Sequence, residues 1–291
     1  MDEKYIEQIV NAVLNELKST QDGQPNPTPI SDIDEEVDAS CVDIASKEVK
    51  AIPLIDEPTD PDALSRMMKR TSARIGVGRA GTRLKTQTML ALRADHASAK
   101  DSVLLDVNEK LIEEMGLFLV KTKCKDKDEF LTRPDIGKEF DSANENEIKN
   151  KCTPNADVQI YVSDGLSSRA IEANAANILP SMTEGLKSQG LKVGVPFFVK
   201  YGRVGAMDRI SEITGAKVTC VLIGERPGLG TAESMSAYIA YMAKVGMPEA
   251  HRTVVSNIHS GGTNAVEAGA YIAEIIGKIV QNKASGVNLK K

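Results

Sequence analysis

Residues 218–223, which read VTCVLI, form a run of six apolar, β-branched or small residues without polar alternation. A continuous run of this length predicts a parallel β-strand that is buried on both faces. Gly224 ends the run, and the glycine-rich sequence ERPGLG follows at residues 225–230. Because open α/β sheets hold ligands at the carboxyl ends of their central strands, this loop is a candidate binding site. A plain tight connection that carries an exposed ion pair is the alternative.

Three other stretches in the second half of the chain read as strands of the same kind. They cover residues 158–162, 191–199 and 253–258, and each precedes a predicted helix, as does 218–223, whose helix is placed at residues 233–243. Strands that alternate with helices predict an α/β fold with a parallel, Rossmann-like sheet. The loops SDGLS, KYGRV, GERPGLG and NIHSGGT would then meet on one edge of the sheet, which favours a ligand site there.

The chain before these strands changes character along its length. Residues 1–18 read as an amphipathic helix, residues 19–60 as a linker rich in proline and acidic residues, and residues 61–152 as a mainly helical region ahead of the Rossmann-like domain at 153–291. Within the third region, helices are predicted at 62–70, 86–106, 108–115 and 135–151, and a strand at 117–121. A helix on a long linker indicates a targeting or docking peptide, because its apolar stripe needs a partner. An arm that packs on its own subunit or a sister subunit is the alternative.

A basic stretch with a glycine motif opens the third region. The sequence GVGRAG at residues 76–81 matches the GxGxxG fingerprint of dinucleotide-binding folds, but that fingerprint follows a hydrophobic strand and opens a helix. Here the preceding residues are weakly apolar and the predicted helix begins near Thr86. A nicotinamide-nucleotide enzyme is therefore only the rival interpretation. The basic side chains of this stretch could instead contact a phosphate, the amide groups of a ligand or an acidic protein, or they could simply face solvent. They are Arg66, Lys69, Arg70, Arg74, Arg79, Arg83 and Lys85.

Composition limits the classes of function. The formal net charge of −5 gives no basic excess for nucleic acid, and no apolar run approaches the roughly 20 residues of a membrane helix. The acidic N-terminus does not resemble a secretory signal. Four widely separated cysteines, Cys41, Cys124, Cys152 and Cys220, indicate reduced intracellular thiols rather than disulfides, and no metal-ligand spacing accompanies the three histidines.

Familiar catalytic patterns are missing from the strand-end loops. The sequence has no GxSxG nucleophile elbow, and no lysine follows a glycine-rich loop in the manner of a phosphate-binding loop. His259 in NIHSGG is one residue short of DxHxxG, the motif with which base-off cobalamin proteins supply a cobalt ligand. Asn257 stands where that motif has the acid that orients the imidazole. We therefore expect His259 to form local hydrogen bonds within its loop.

Several segments of the folded region together resemble a known enzyme family. They are TSARIGVGRAGTRLKTQT, RADHASAKDSV, FLTRPDIGKEF, VQIYVSDGLSSRAI, LKVGVPFFVKYGRV, GERPGLGTAESMSAY, SNIHSGGTNAVEAGA and QNKASGVNL. Through these segments, which span residues 60–290, the chain resembles the small subunit of ethanolamine ammonia-lyase. Residues 1–17 also resemble the start of that subunit.

The resemblance implies a bacterial lyase that converts ethanolamine to acetaldehyde and ammonia by a radical mechanism that depends on adenosylcobalamin. A large TIM-barrel subunit would hold the substrate and the catalytic side chains, and this chain would bind the cofactor between the two subunits of a hetero-oligomer. The cobalamin would be bound base-on, with its cobalt not ligated by this chain. The N-terminal helix would direct the enzyme into a protein-shelled microcompartment in the cytoplasm.

Motif by motif, the resemblance assigns the cobalamin contacts to Val204 of KYGRV, Glu225 of GERPGLG and Val254 of RTVVSN. Arg203 and Arg226 lie beside the first two, and Arg203 is expected to donate to a corrin amide carbonyl. Glu225 would accept a hydrogen bond from a corrin amide N–H. Val254 stands where the family has a cysteine, so we expect an apolar or backbone contact there. A pure shell adaptor is a further alternative, but it would leave the strand-end loops without a role.

Overall fold

The computed structural model describes residues 46–71 and 73–289, so the predicted helix at residues 1–18 and most of the predicted linker lie outside the described residues. The helices of the described part are α1 (Lys47–Lys50), α2 (Pro61–Met68), α3 (Thr86–Leu104), α4 (Glu109–Glu114), α5 (Lys127–Thr132), α6 (Ser142–Lys151), α7 (Ser168–Ser188), α8 (Ala206–Thr214) and α9 (Ala265–Asn282). Short 3₁₀ turns occupy Ile136–Lys138, Glu249–His251 and Gly286–Asn288. Within these ranges no helix is long and apolar enough to cross a membrane.

The strands of the described residues form two sheets. A small hairpin consists of β1 (Arg79–Ala80) and β2 (Arg83–Leu84). The larger sheet consists of β3 (Phe118–Lys121), β4 (Val158–Ser163), β5 (Phe197–Lys200), β6 (Val218–Gly224), β7 (Met235–Tyr241) and β8 (Thr253–Ile258). Its order is β3-β5-β4-β6-β7-β8; the first four strands are parallel, and β7 is antiparallel to both of its neighbours. The α/β class is confirmed, but the sheet is mixed rather than wholly parallel.

The helix predicted at residues 233–243 is wrong, because this segment contains strand β7. Every residue from Met235 to Tyr241 pairs with β6, and within the strand only Tyr238 and Tyr241 are not fully buried. Periodicity cannot distinguish a strand from a buried helix in so short an apolar run. The segment forms a strand because one edge of β6 would otherwise have N–H and C=O groups without hydrogen-bond partners.

The reversal at β7 leaves the four predicted loops on one edge. Since β7 and β8 each reverse direction, β8 runs the same way as β6, and Met235 pairs with both Gly224 and Ile258. On the parallel side, Ser163 at the end of β4 pairs with Val199 near the end of β5. The loops SDGLS, KYGRV, GERPGLG and NIHSGGT therefore all leave the same side of the sheet, which we call the carboxyl edge.

Two other predicted elements differ from the structure by more than two residues at one end. Only the last part of the strand predicted at residues 191–199 is observed, as β5 at Phe197–Lys200. Gly194 before it packs closely on the buried Gln159, whose side-chain Oε1 would lie 2.3 Å from a Cβ. The helix predicted at residues 135–151 is a 3₁₀ turn followed by α6. The break has a local cause, because the side chain of Asp141 accepts a hydrogen bond from the backbone N–H of Asn144 at 2.8 Å and so caps a new helix.

Hydrophobic layers cover both faces of the larger sheet. One face packs on α7 and α9 and includes buried residues such as Leu222 and Ile276. The other packs on α6 and α8 and includes Val221 and Ile210; we call it the α8 face.

Strand β3 precedes the predicted domain boundary at residue 152 and nevertheless pairs with β5. The predicted domain boundaries themselves stay predictions.

Candidate functional site

A buried aspartate ties two loops together at the carboxyl edge. Oδ1 of Asp164 accepts hydrogen bonds from the backbone N–H groups of Gly165 at 3.0 Å and Tyr201 at 2.8 Å, and Lys127 Nζ lies 3.4 Å from Oδ2. Burial raises the pKa of Asp164, an effect that the charge of Lys127 opposes. Tyr201 adopts a φ of 61°, a left-handed conformation that is uncommon outside glycine. The KYGRV loop after β5 is thereby held against the end of β4.

Arg203 in this loop is partly buried against α5. Its Nη2 donates a hydrogen bond to the carbonyl oxygen of Phe130 at 2.6 Å, and its guanidinium carbon lies 4.1 Å from the centre of the Phe130 ring. Burial lowers the pKa of Arg203. Its Nε is also buried and has no hydrogen-bond partner among the described residues. Arg203, the expected donor to a ligand, therefore uses Nη2 for a hydrogen bond within the protein, and its Nε–H has no partner among the described residues.

Val204 follows Arg203 and lies two residues before α8. It is partly buried and packs against the hydrophobic residues of the α8 face, behind which α8 begins with the buried Ala206 and Met207. Its position is therefore the junction between the carboxyl edge and the α8 face. An apolar side chain at such a junction can contact the apolar surface of a ligand, and it has no group for acid–base chemistry.

Glu225 is the first residue after β6 and is half-buried. Its backbone N–H donates to the carbonyl oxygen of Ser234 at 3.0 Å, and its side-chain Oε1 accepts a hydrogen bond from the hydroxyl of Tyr238 at 3.0 Å. Beyond Glu225 the loop turns outward, and Arg226 and Leu229 are exposed. The loop therefore has one fixed acceptor at its base and an exposed arginine beside it.

Val254 lies on β8 directly opposite Tyr238 and is 46% exposed. Directly paired residues project from the same face of a sheet, and Tyr238 pairs on its other side with Val221, a buried residue of the α8 face. Tyr238 thus links Glu225, through its hydroxyl, to Val254, through the strand pairing. Three of the assigned positions, Val204, Glu225 and Val254, therefore lie on the α8 face or at its carboxyl edge.

Sequence analysis missed Tyr238, because it placed residues 233–243 in a helix. A helical register would separate this residue from the end of β6, whereas the strand brings its hydroxyl to the first loop residue. The aromatic residues Tyr238 and Tyr241 with Ile239 between them favour a strand, so this signal could have indicated β7, although not the contact with Glu225.

A buried ion pair on the α8 face connects helix α8 to the residue that precedes strand β8. Nη2 of Arg252, two residues before Val254, lies 2.8 Å from both carboxylate oxygens of Asp208 in the first turn of α8. Burial raises the pKa of Asp208, and the hydrogen bond and charge of Arg252 oppose this effect. This pair was not identified from the sequence, since the two residues are 44 positions apart.

His259 forms the local hydrogen bonds that the sequence predicted. Its Nδ1 accepts from the backbone N–H of Gly261 at 3.1 Å, so Nε2 carries the proton and donates to Asn257 Oδ1 at 2.8 Å. Both ring nitrogens are engaged within the loop. In the described part of the chain, no cluster of three or more histidine, cysteine or acidic residues could hold a metal ion. Cys124, Cys152 and Cys220 are free and buried.

The glycine motif at residues 76–81 lies at the β1–β2 hairpin and does not lead from a strand into a helix. Gly78 is needed for packing, because a Cβ there would come within 2.3 Å of the carbonyl oxygen of Leu54. This setting does not match the dinucleotide fingerprint. Of the cations nearby, Arg74 pairs with the buried Asp95 and Lys85 with Asp56. The cations that remain exposed are Arg66, Lys69, Arg70, Arg79 and Arg83.

Comparison with known proteins gives one consistent result. Residues 61–290 match the family model described as ethanolamine ammonia-lyase light chain. The ethanolamine ammonia-lyase small subunit of Clostridium tetani is 55% identical over 293 residues, which cover 99% of both chains. The small subunits of Clostridium perfringens and Listeria innocua are each 52% identical, over 295 and 293 residues that cover all of this chain.

Proposed function

Because the chain belongs to the ethanolamine ammonia-lyase light chain family, we propose that it binds adenosylcobalamin for the conversion of ethanolamine to acetaldehyde and ammonia. The chain is the small subunit of a lyase and works with a large subunit. The proposal concerns the share of the reaction that belongs to this chain: it holds the cofactor against the large subunit, and the catalytic side chains lie in that partner.

The observation that supports the proposal is the combination of residues on the α8 face at the carboxyl edge. Val254 presents an open apolar surface, Val204 a partly buried one, and the half-buried Glu225 supplies a fixed acceptor. A corrin ring is an apolar macrocycle with amide groups on its rim, so it needs an apolar contact surface and a few acceptors for amide N–H groups. The residues present fit that requirement.

The donor chemistry of the NIHSGGT loop fits base-on binding. His259 is the histidine of the strand-end loops, and both of its ring nitrogens are engaged with Asn257 and Gly261. An imidazole bound in this way would have to give up a hydrogen bond before it could ligate cobalt. We therefore propose that His259 would not ligate the cobalt.

The residues of this chain would bind and orient the cofactor. Glu225 accepts a hydrogen bond from a corrin amide, Val204 and Val254 exclude water from the apolar contact, and Arg203 or Arg226 donates to amide carbonyls on the rim. When bound, the cofactor supplies radical chemistry by homolysis of its cobalt–carbon bond. No proton transfer is assigned to any residue of this chain.

Two further parts of the proposal concern partners. The large subunit would be a TIM barrel that closes over the opposite side of the cofactor in a hetero-oligomer. The predicted helix at residues 1–18 would attach the enzyme to the shell of a bacterial microcompartment. Both follow from the family resemblance.

Co-expression with the large subunit tests the proposal. The purified pair and the isolated full chain are each titrated with adenosylcobalamin and with cyanocobalamin, and both are assayed for ammonia release from ethanolamine. We expect tight cobalamin binding and turnover from the pair alone. Turnover by the isolated chain, or its binding of a nicotinamide nucleotide with no cobalamin binding by the pair, would overturn the proposal and favour the rival interpretation.

A further inference from the structure

Tyr238 occupies the middle of a row of paired residues that crosses the α8 face. It lies in β7 between Val221 of β6 and Val254 of β8. Val221 is fully buried, Tyr238 is partly exposed and Val254 is 46% exposed, so burial falls from the centre of the sheet toward its last strand. The ring of Tyr238 packs against the buried residues of this face, which anchors the side chain.

The hydroxyl of Tyr238 forms a hydrogen bond with one carboxylate oxygen of Glu225. It donates to Oε1 at 3.0 Å, and none of the described residues donates a hydrogen bond to Oε2. Glutamate has three side-chain torsions, so an unrestrained glutamate at the start of a loop would populate several rotamers. A hydrogen bond from a residue held in a strand restricts this freedom before a ligand arrives, which lowers the entropic cost of binding.

The hydroxyl remains a donor at neutral pH. Burial raises the pKa of Tyr238 to about 12, and the negative charge of Glu225 acts in the same direction. The phenol therefore stays protonated, and its partner on Glu225 is an acceptor. Partial burial also makes such a hydrogen bond stronger than it would be in water.

We propose that Tyr238 is a positioning residue of the cofactor site, which holds the carboxylate of Glu225 so that Oε2 accepts a hydrogen bond from an amide N–H on the corrin rim. This inference rests on the proposed function and adds a residue that the family resemblance does not assign. Tyr238 acts through Glu225, and its hydroxyl needs no contact of its own with the cofactor. The loss of the hydroxyl should therefore matter only while Glu225 is present.

A double-mutant cycle on the full chain, co-purified with its large subunit, tests this dependence. Tyr238→Phe removes the hydroxyl and keeps the ring, Glu225→Ala removes the acceptor, and a third variant combines both changes. The dissociation constant for cyanocobalamin is measured by equilibrium dialysis, so the result does not depend on turnover. Tyr241→Phe is the matched control, because Tyr241 lies on the same strand but packs against the opposite layer.

We expect Glu225→Ala to raise the dissociation constant about tenfold and Tyr238→Phe about fivefold, which are the effects of losing a charged hydrogen bond and a neutral donor. The double variant should bind no more weakly than Glu225→Ala, and Tyr241→Phe should bind like the parent.

If Glu225→Ala weakens binding and Tyr238→Phe does not, the positioning role is wrong while the proposed function stands. Additive effects would show that Tyr238 acts independently of Glu225. If Glu225→Ala leaves affinity unchanged, Glu225 does not belong to the site and the inference fails with it.

Discussion

Nη2 of Arg252 lies 2.8 Å from both carboxylate oxygens of Asp208, in an ion pair whose side chains are 1% and 8% exposed. Asp208 follows Val204 by four residues and Arg252 precedes Val254 by two, so the pair connects the two apolar positions of the candidate site. A buried pair contributes little net stability, but the loss of one partner leaves a charge in the interior. The spacing between α8 and β8 therefore depends on both residues.

Asp208→Asn should lower the free energy of unfolding by about 3 kcal/mol, because Arg252 loses its buried counter-charge. Of the contacts that remain, Nε donates to the uncharged Met207 Sδ at 3.1 Å, and Nη1 lies 2.5 Å from the largely exposed carboxylate of Glu249. Urea denaturation followed by circular dichroism measures the change. Glu274→Gln, which breaks an exposed ion pair with Lys278 on α9, is the control and should change stability by less than about 0.5 kcal/mol. Equal small losses in both variants would contradict the prediction.

Gly224 at the end of β6 should not tolerate a side chain. A Cβ at this position would lie 2.2 Å from the carbonyl oxygen of Ser167 and 2.5 Å from that of Asp164. We expect Gly224→Ala to destabilise the chain by about 1–3 kcal/mol, because neither backbone oxygen can move freely. Gly228→Ala is the control in the same loop, where a Cβ meets nothing within 4 Å. Thermal melting of the two variants checks the prediction, and similar melting temperatures would refute it.

The strands that could be predicted are those whose residues are buried on both faces or that end in a glycine-rich turn. The prediction at 218–223 differs from β6 by one residue, and that at 253–258 has the observed bounds of β8. The first is an apolar run buried on both faces, and the second ends in the glycine-containing loop NIHSGGT. β7 could not be identified in the same way. Its assignment depends on hydrogen bonds to β6, and such long-range pairing overrides local pattern.

The same distinction applies to the candidate site. Glu225 could be placed at a strand end, since its position depends only on the neighbouring sequence. Its contact with Tyr238 requires the antiparallel return of β7, and the pairing of Asp208 with Arg252 spans 44 residues and two strands. Sequence spacing carries no information on either contact. Both contacts depend on the order and direction of the strands in the sheet.

Asp157 should give the chain a stability term that depends on pH. A hydrogen bond from Lys217 Nζ at 2.8 Å, together with one from the backbone N–H of Lys192 at 2.9 Å, holds the pKa of Asp157 below its usual range. A lowered folded-state pKa contributes stability above the unfolded value of about 4, and this contribution is lost as the pH falls through the folded value. Asp157→Asn should thus be less stable than the parent at pH 7.

Urea denaturation of the two chains at pH 7 and at successively lower pH measures this difference, which should narrow in acid. Lys217→Ala is the companion variant, because it removes the leading cause of the shift and should reduce the same pH dependence. A difference between parent and Asp157→Asn that stays constant from neutral to acidic pH would contradict the assignment.

Deletion of residues 1–18 should abolish encapsulation and leave turnover with the large subunit intact. The sequence predicts an amphipathic helix in this segment whose apolar stripe would need a partner, whereas the candidate cofactor site lies between residues 203 and 254. Localisation with the shell in cells and ammonia release by the purified pair are the two measurements. Leu14→Glu on the stripe should reproduce the deletion, and Glu7→Gln on the polar face should not. Lost turnover on deletion would identify the helix as a contact between subunits instead.

Val254→Asp should weaken cobalamin binding without unfolding the chain. Val254 is 46% exposed on the last strand of the sheet, so a polar side chain fits there, but a carboxylate would have to lose its water beneath an apolar corrin. We expect the dissociation constant of the complex for cyanocobalamin to rise about tenfold.

Val195→Asp is the matched control, because Val195 is 41% exposed and lies before β5, away from the carboxyl edge. Val254→Cys, which introduces the residue expected for the family, should bind like the parent. Equal binding by all three variants would remove Val254 from the site.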